Sequence, residues 1–83
     1  MDAGKLIKMA NDIGRFFAAP AAAGPARDQA LFGIADHIKR FWDPRMRSAI
    51  LAALDAGHAQ ALDEPVAAAL LAHRTLLTPV AKA

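Results

Sequence analysis

Five prolines divide this 83-residue sequence into segments of helical length. Proline cannot continue a helix, but it is favoured in the first turn, so each proline marks a helix end or a helix start. Asp43-Pro44 and Asp63-Glu64-Pro65 are start signals, because Asp is a favoured N-cap. Pro20 and Thr78-Pro79 are stop signals, and Gly24-Pro25 interrupts the chain between the first two segments. The order of these signals predicts a succession of short helices.

Within the segments, apolar side chains recur at three- and four-residue spacing, which is typical of amphipathic helices. The pattern predicts helices over residues 5–19, about 26–42, 44–56 and about 65–78, with Asp2 capping the first and Gly57 ending the third. β-branched residues are few and nothing alternates with period two, so the fold class is all-α, with three to four short helices. The predicted inward stripes are Leu6, Met9, Ile13, Phe16 and Phe17; Leu31, Ile34, Ala35, Ile38, Phe41 and Trp42; Met46, Ile50 and Leu54; and, less cleanly, Val66, Leu70, His73 or Arg74, and Leu77.

The size of the chain allows one domain at most. Apolar residues make up 55% of the sequence, but 22 of them are Ala, which leaves 24 larger apolar side chains. This number suffices for one layer of packed helices. We therefore predict a single helical domain over residues 1–83, with a flexible connector at about 20–26 and a C-terminal part, 58–83, in which the helical pattern is less clean. Apolar surface left over on so small a protein indicates a partner.

Some large side chains do not fit the stripe of their own helix. At 100° per residue, Phe32 projects about 160° away from Ile34, on an otherwise charged face. Ile7 and Leu51 stand about 100–120° off their stripes. Either a four-helix arrangement covers these positions, or Phe32 and Ile7 contact another protein, as aromatic residues near Arg often do.

Two pairs of adjacent aromatic residues raise the same question. The members of Phe16-Phe17 and of Phe41-Trp42 point about 100° apart, so both can be buried only in a wide apolar face. Trp42 stands just before the helix start at Asp43-Pro44. Its favoured role is to fill the corner between the second and third helices, with its indole N–H donating a hydrogen bond to a nearby carbonyl.

Four cations flank this corner: Lys39, Arg40, Arg45 and Arg47. The arrangement could mimic the helix-turn-helix of a small nucleic-acid-binding regulator. However, Arg45 and Arg47 project about 160° apart, the third helix lacks the Asn and Gln residues that read base edges, and the net charge is only +2. Arg47 borders the apolar stripe, which indicates a cation that meets a carboxylate within the fold or on a partner.

No catalytic, cofactor-binding or metal-binding residues are predicted. The sequence has no Cys, which excludes thiolate zinc sites and cysteine-ligated iron–sulfur clusters. Its three His residues lack the spacing of metal ligands. No apolar run approaches the ~20 residues of a membrane span, and the N-terminus has no signal-peptide pattern. We expect a cytoplasmic chain that is not an enzyme and binds neither membrane nor nucleic acid.

Two blocks of the sequence carry a family resemblance. The first is KLIKMANDIGRFFAA at residues 5–19, and the second begins at residue 33 with GIADHIKRFWDPRMRSAIL. The most specific part is Ile34-Ala35-Asp36-His37 followed by Phe41-Trp42-Asp43-Pro44-Arg45-Met46. In this order, the two blocks resemble the delta subunit of soluble NAD-dependent formate dehydrogenases.

The resemblance implies a small accessory subunit with no cofactor of its own. In such complexes the larger subunits carry the molybdenum–pterin centre, the iron–sulfur clusters, FMN and the NAD site, and they oxidise formate to carbon dioxide. The delta chain would bind these subunits and support assembly or stability of the enzyme; a transient maturation chaperone is an alternative. The predicted partner-binding residues are Ile7, Phe32, Arg40, Trp42, Arg45 and Arg47.

Overall fold

The chain folds into helices joined by short turns. The computed structural model describes residues 2–17 and 23–79. Its elements are α1 (Ala3–Phe17), α2 (Gly24–Phe41), α3 (Pro44–Asp55), a 3₁₀ turn (His58–Ala61), α4 (Glu64–Ala72) and α5 (Arg74–Leu77). None of the described residues forms a β-strand. The prediction of a small all-α fold is confirmed.

Aspartate side chains cap two of the helices, as the sequence predicts. Asp2 Oδ1 accepts a hydrogen bond from the backbone N–H of Gly4 at 2.9 Å. Asp43 Oδ1 accepts one from the backbone N–H of Met46 at 2.9 Å. Each bond satisfies a first-turn N–H that has no partner inside its helix. Because Asp2 is the cap, α1 begins at Ala3, two residues before its predicted start.

The second helix also begins earlier than the pattern predicts. It starts at Gly24, with Pro25 in the first turn, where a missing N–H costs nothing. Gly24 has φ of +60°, a left-handed conformation that glycine adopts without strain. Residues 18–22, which include the end of the predicted first helix and much of the predicted connector, lie outside the described residues.

The side chain of Asn11 joins α1 to the turn that precedes α4. Its Nδ2 donates to the carbonyl of Ala61 at 3.0 Å, and its Oδ1 accepts from the backbone N–H of Asp63 at 2.8 Å. The Asp63 carboxylate makes no capping hydrogen bond to α4 and lies 3.5 Å from the guanidinium of Arg15 instead. α1 thus fixes the start of α4 through both a neutral amide and an ion pair.

α2 is the central helix of the fold. It packs against α1, α4 and α5, while α3 packs against α1, α5 and the 3₁₀ turn. Burial of each large aliphatic side chain contributes about 1.5–3 kcal/mol. Leu51, which stands off the predicted stripe, is buried because neighbours cover a wide face of α3. The largest fully buried side chains are Ile34, Ile38, Ile50, Val66, Leu70 and Leu77.

The buried face of α1 differs from the predicted stripe. Leu6, Ala10 and Gly14 are buried, whereas Met9 and Phe16 are exposed. Gly14 explains the difference, because a Cβ atom there would stand 2.4 Å from Cγ2 of Val66 on α4. The absence of a side chain lets α4 approach closely, and this contact turns the small-residue face of α1 inward.

The predicted fourth helix is divided in two. α4 ends at Ala72, and α5 begins after His73, whose φ and ψ of −116° and 28° lie outside the helical values. Val66, Leu70 and Leu77 are buried, as the pattern predicts, whereas His73 and Arg74 are partly exposed because the helix breaks at His73. The chain leaves α5 at Thr78, where the following proline favours the observed extended backbone.

Candidate partner-binding surface

The structure places one predicted partner-binding residue, Trp42, in the hydrophobic core. Its side chain is only 5% exposed and belongs to the main buried cluster. The backbone of Trp42 is extended, and its N–H still donates to the carbonyl of Ile38 at 3.0 Å. The chain therefore turns at Trp42 and directs the indole inward, between the end of α2 and the Asp43-Pro44 start of α3. We call this arrangement the Trp42 corner.

Arg47, another of these predicted residues, is buried as well. Its side chain is 7% exposed, although it carries a charge. Nη1 donates to the backbone carbonyl of Leu77 at 3.3 Å, whereas Nε is buried without a hydrogen-bond partner. The Arg47 side chain thus connects α3 to the end of α5. Such a buried and partly unsatisfied guanidinium is unusual, because desolvation of a charged group is costly.

Phe32 and Arg40 lie on one exposed face of α2. Phe32 is 51% exposed, and its ring packs edge-on against the His73 ring, with centroids 5.7 Å apart. One turn further along, Asp36 pairs with Arg40, and the Arg40 Nε lies 3.0 Å from both carboxylate oxygens. Phe32, Asp36 and Arg40 follow one another at four-residue spacing, so they form a single stripe.

The remaining two predicted residues differ in exposure. Arg45 is exposed in the first turn of α3, on the side of that helix away from Arg47. Ile7 is half-buried and packs against the main hydrophobic cluster. The structure therefore brings Phe32 and Arg40 together on one face and leaves Arg45 at the surface near the Trp42 corner, while Trp42 and Arg47 lie beneath the surface.

A further surface feature is a row of aromatic rings across α1 and α2, which consists of Phe16, Phe17, His37 and Phe41. The ring centroids are 5.0 Å apart between Phe16 and Phe17, 6.0 Å between Phe17 and His37, and 4.7 Å between His37 and Phe41. Phe16 is 82% exposed and Phe41 71% exposed, more than the other large apolar side chains of the described chain. We call these four residues the aromatic row.

The helical periodicity predicts that Phe16 and Phe41 lie on the inward stripes, and this prediction is wrong. Phe41 is the last residue of α2, so no further turn of the helix covers it. Phe17 lies over Gly33, where a Cβ atom would stand 2.7 Å from Cδ1 of the Phe17 ring. The signal that could have revealed the row is the pairing of two adjacent Phe residues with a glycine on the neighbouring helix.

Ion pairs hold the C-terminal part against the rest of the molecule. Arg27 on α2 makes two hydrogen bonds of 2.7 Å to Glu64, and they hold the pKa of the Glu64 carboxyl below its ordinary value. Arg74 likewise donates two hydrogen bonds to Asp55 and lowers the pKa of that carboxyl. These side chains are well exposed, so the pairs stabilise the fold modestly.

The described residues show surface features of a binding protein, and two kinds of site are not found among them. Among residues 2–17 and 23–79, no three His, Asp or Glu side chains group as a metal site would require. No helix in the same ranges has the length and apolar character needed to cross a membrane. What the described surface does offer is exposed aromatic side chains on both sides of α2, which is typical of a protein that binds another protein.

Comparison with known protein families gives a direct match. The model of the family described as NADH-dependent formate dehydrogenase delta subunit FdsD matches residues 5–70. This range contains both sequence blocks, the aromatic row and the Trp42 corner. Comparisons with curated proteins and with solved structures gave no match. Since the family model covers most of the 83 residues, the chain belongs to the FdsD family of NADH-dependent formate dehydrogenase delta subunits.

Proposed function

We propose that this chain is a non-catalytic accessory subunit of a molybdenum-containing, NAD-dependent formate dehydrogenase complex. Its role is to support the assembly or stability of the enzyme that oxidises formate to carbon dioxide. The observation that carries the proposal is the match to the delta-subunit family over residues 5–70. The absence of Cys from the sequence agrees with a chain that leaves the redox centres to other subunits.

The proposed partners are the larger subunits, which hold the molybdenum and iron–sulfur centres and the flavin. The proposed contact surface includes the exposed Phe32–Arg40 stripe, Arg45 and the partly exposed Ile7. Trp42 contributes by holding the corner from which Arg45 projects. We add the aromatic row to this surface, because its outer rings are among the apolar groups that gain most from burial on a partner.

A protein partner accounts for the described surface better than a nucleic acid does. Of the four cations near the Trp42 corner, Arg47 is buried and Arg40 is paired with Asp36. This leaves few free charges for phosphates, whose contacts supply most of the affinity of nucleic-acid-binding proteins. A subunit lies in the same compartment as the rest of its enzyme. We propose that this compartment is the cytoplasm.

Deletion of the gene provides the test. The larger subunits should be purified from cells that contain or lack this chain, and formate-dependent NAD reduction should be measured with the size of the complex. The proposal predicts lower activity and a smaller or dissociating complex in the deletion strain, with both restored by a plasmid copy. Unchanged activity together with an unchanged complex would contradict it. If the plasmid copy restores the activity but the chain is missing from the purified complex, the chain is a transient maturation chaperone instead.

A further inference from the structure

Arg47 is the one buried charged residue of the described chain, and its guanidinium is only partly satisfied. It is 7% exposed, its Nη1 donates to the Leu77 carbonyl, and its Nε has no partner. A guanidinium has five N–H donors in a planar fork that fits a carboxylate. One bond of 3.3 Å to a neutral carbonyl uses little of this capacity.

The chain's own acidic side chains do not supply the missing carboxylate. All eight Asp and Glu residues lie in the described ranges, and no carboxylate oxygen among them is within 4.0 Å of Arg47. Several already have other roles: Asp2 and Asp43 cap helices, Asp36 pairs with Arg40, and Asp55 and Glu64 hold Arg74 and Arg27.

We infer that Arg47 receives an Asp or Glu carboxylate of a larger subunit when the complex forms. The inference rests on the proposed function, which supplies the protein partner. A protein carboxylate fits better than a phosphate group, because one guanidinium provides a single positive charge and Arg45 projects to the other side of α3. The site lies beside the end of α5, where Nη1 meets the Leu77 carbonyl, and 7% of the residue's surface is accessible in the free chain.

The inference predicts effects of different kinds on folding and on binding. Arg47→Met keeps most of the side-chain volume and removes a charge that lacks an ionic partner in the free chain. The isolated variant should therefore unfold at a urea midpoint equal to or above that of the wild type. Its affinity for the complex should fall, because the partner's carboxylate would then be buried without a counter-charge.

The experiment measures the binding of the purified chain to the larger subunits isolated from the deletion strain. We expect Arg47→Met to weaken binding by about thirty-fold or more, and Arg47→Lys to recover part of the loss. Arg27→Met is the matched control, since it removes a guanidinium that is already paired within the chain. It should leave the affinity unchanged.

Each of the other outcomes has a definite meaning. If the wild type binds and Arg47→Met binds equally well, the inference is wrong and the proposed function stands. If Arg47→Met sharply lowers the urea midpoint of the free chain, Arg47 is a structural residue and the inference fails. If sodium acetate, compared with sodium chloride at equal ionic strength, raises the melting temperature of the wild type but not of Arg47→Met, the site takes small anions instead. If the wild-type chain does not bind, the proposed function itself fails, and the inference with it.

Discussion

Phe41 and Trp42 are neighbours in the sequence, yet they belong to two regions with opposite characters. Phe41 is 71% exposed at one end of the aromatic row, whereas Trp42 is 5% exposed in the corner between α2 and α3. The helix ends between them, and the extended backbone of Trp42 directs its side chain into the core. The comparison shows that a cluster of aromatic residues in a sequence can divide into a residue that holds the fold and a residue available to a partner.

The largest effect that tests this comparison is expected at the corner. Trp42→Ala should lower the free energy of unfolding by about 3–5 kcal/mol, because it removes a large buried side chain and leaves a cavity. Phe41→Ala, the matched variant at the neighbouring position, should lower it by about 0.5 kcal/mol or less, as is usual for exposed residues. Urea unfolding followed by circular dichroism measures both values. Equal losses would show that the two regions do not differ as described.

The next effect concerns the aromatic row and appears in binding. The double variant Phe16→Ser/Phe41→Ser should bind the larger subunits from the deletion strain about thirty-fold more weakly, which corresponds to the loss of about 2 kcal/mol at an interface hot spot. Its urea midpoint should stay close to that of the wild type. Leu71→Ser, which alters an exposed leucine of α4 outside the row, is the control. Equal binding by the double variant and the wild type would remove the row from the contact surface.

A smaller effect is expected from the glycine beneath the row. Gly33→Ala places a methyl group against the ring of Phe17, and this overpacking costs about 1–3 kcal/mol. The higher helix propensity of Ala offsets about 0.5–1 kcal/mol of this cost. We expect a net loss of about 1 kcal/mol in the unfolding experiment. The addition of Phe17→Leu should recover part of the loss. If the changes in unfolding free energy of the two single variants simply add in the double variant, the contact between position 33 and the Phe17 ring is not supported.

The smallest effect is a pH dependence outside both regions. The pKa values of Asp55 and Glu64 are lowered in the folded chain by hydrogen bonds from Arg74 and Arg27. Their contribution to stability is therefore complete above the ordinary values of 3.8 and 4.5, and it is lost as the pH falls through the lower folded-state values. The urea midpoint should decrease slightly in this acidic range, and less so in an Arg27→Met/Arg74→Met variant. If the urea midpoint of the wild type rises as the pH falls, this prediction is wrong.

Much of the fold can be predicted from signals that depend only on residues close together in the sequence. The Asp43-Pro44 start, the Asp2 cap and the stop at Thr78-Pro79 depend on a few neighbouring residues. Periodicity identifies the helices and places Phe32 off the stripe of its own helix; of the two alternatives that this position leaves open, cover by other helices or exposure to a partner, the structure shows a side chain that is 51% exposed. Trp42 also lies in the corner that the sequence favours for it, but its indole N–H donates none of the side-chain hydrogen bonds found within residues 2–17 and 23–79.

The features that the sequence did not reveal depend on contacts between helices. The inward face of α1 is selected by the close approach of Val66 to Gly14, a residue with no apolar signal of its own. The exposure of Phe41 depends on where α2 ends within the tertiary structure. The burial of Arg47 depends on α5, a short helix that the pattern merged with α4.

The central claim is that this chain belongs to the mature enzyme as a subunit without catalysis of its own. Native mass spectrometry of the purified, active formate dehydrogenase complex tests it most directly. We predict an assembly that contains this 8.8-kDa chain and that loses it on mild dissociation, with the redox cofactors remaining on the larger subunits. A fully active and stable assembly that never contains the chain would contradict the account.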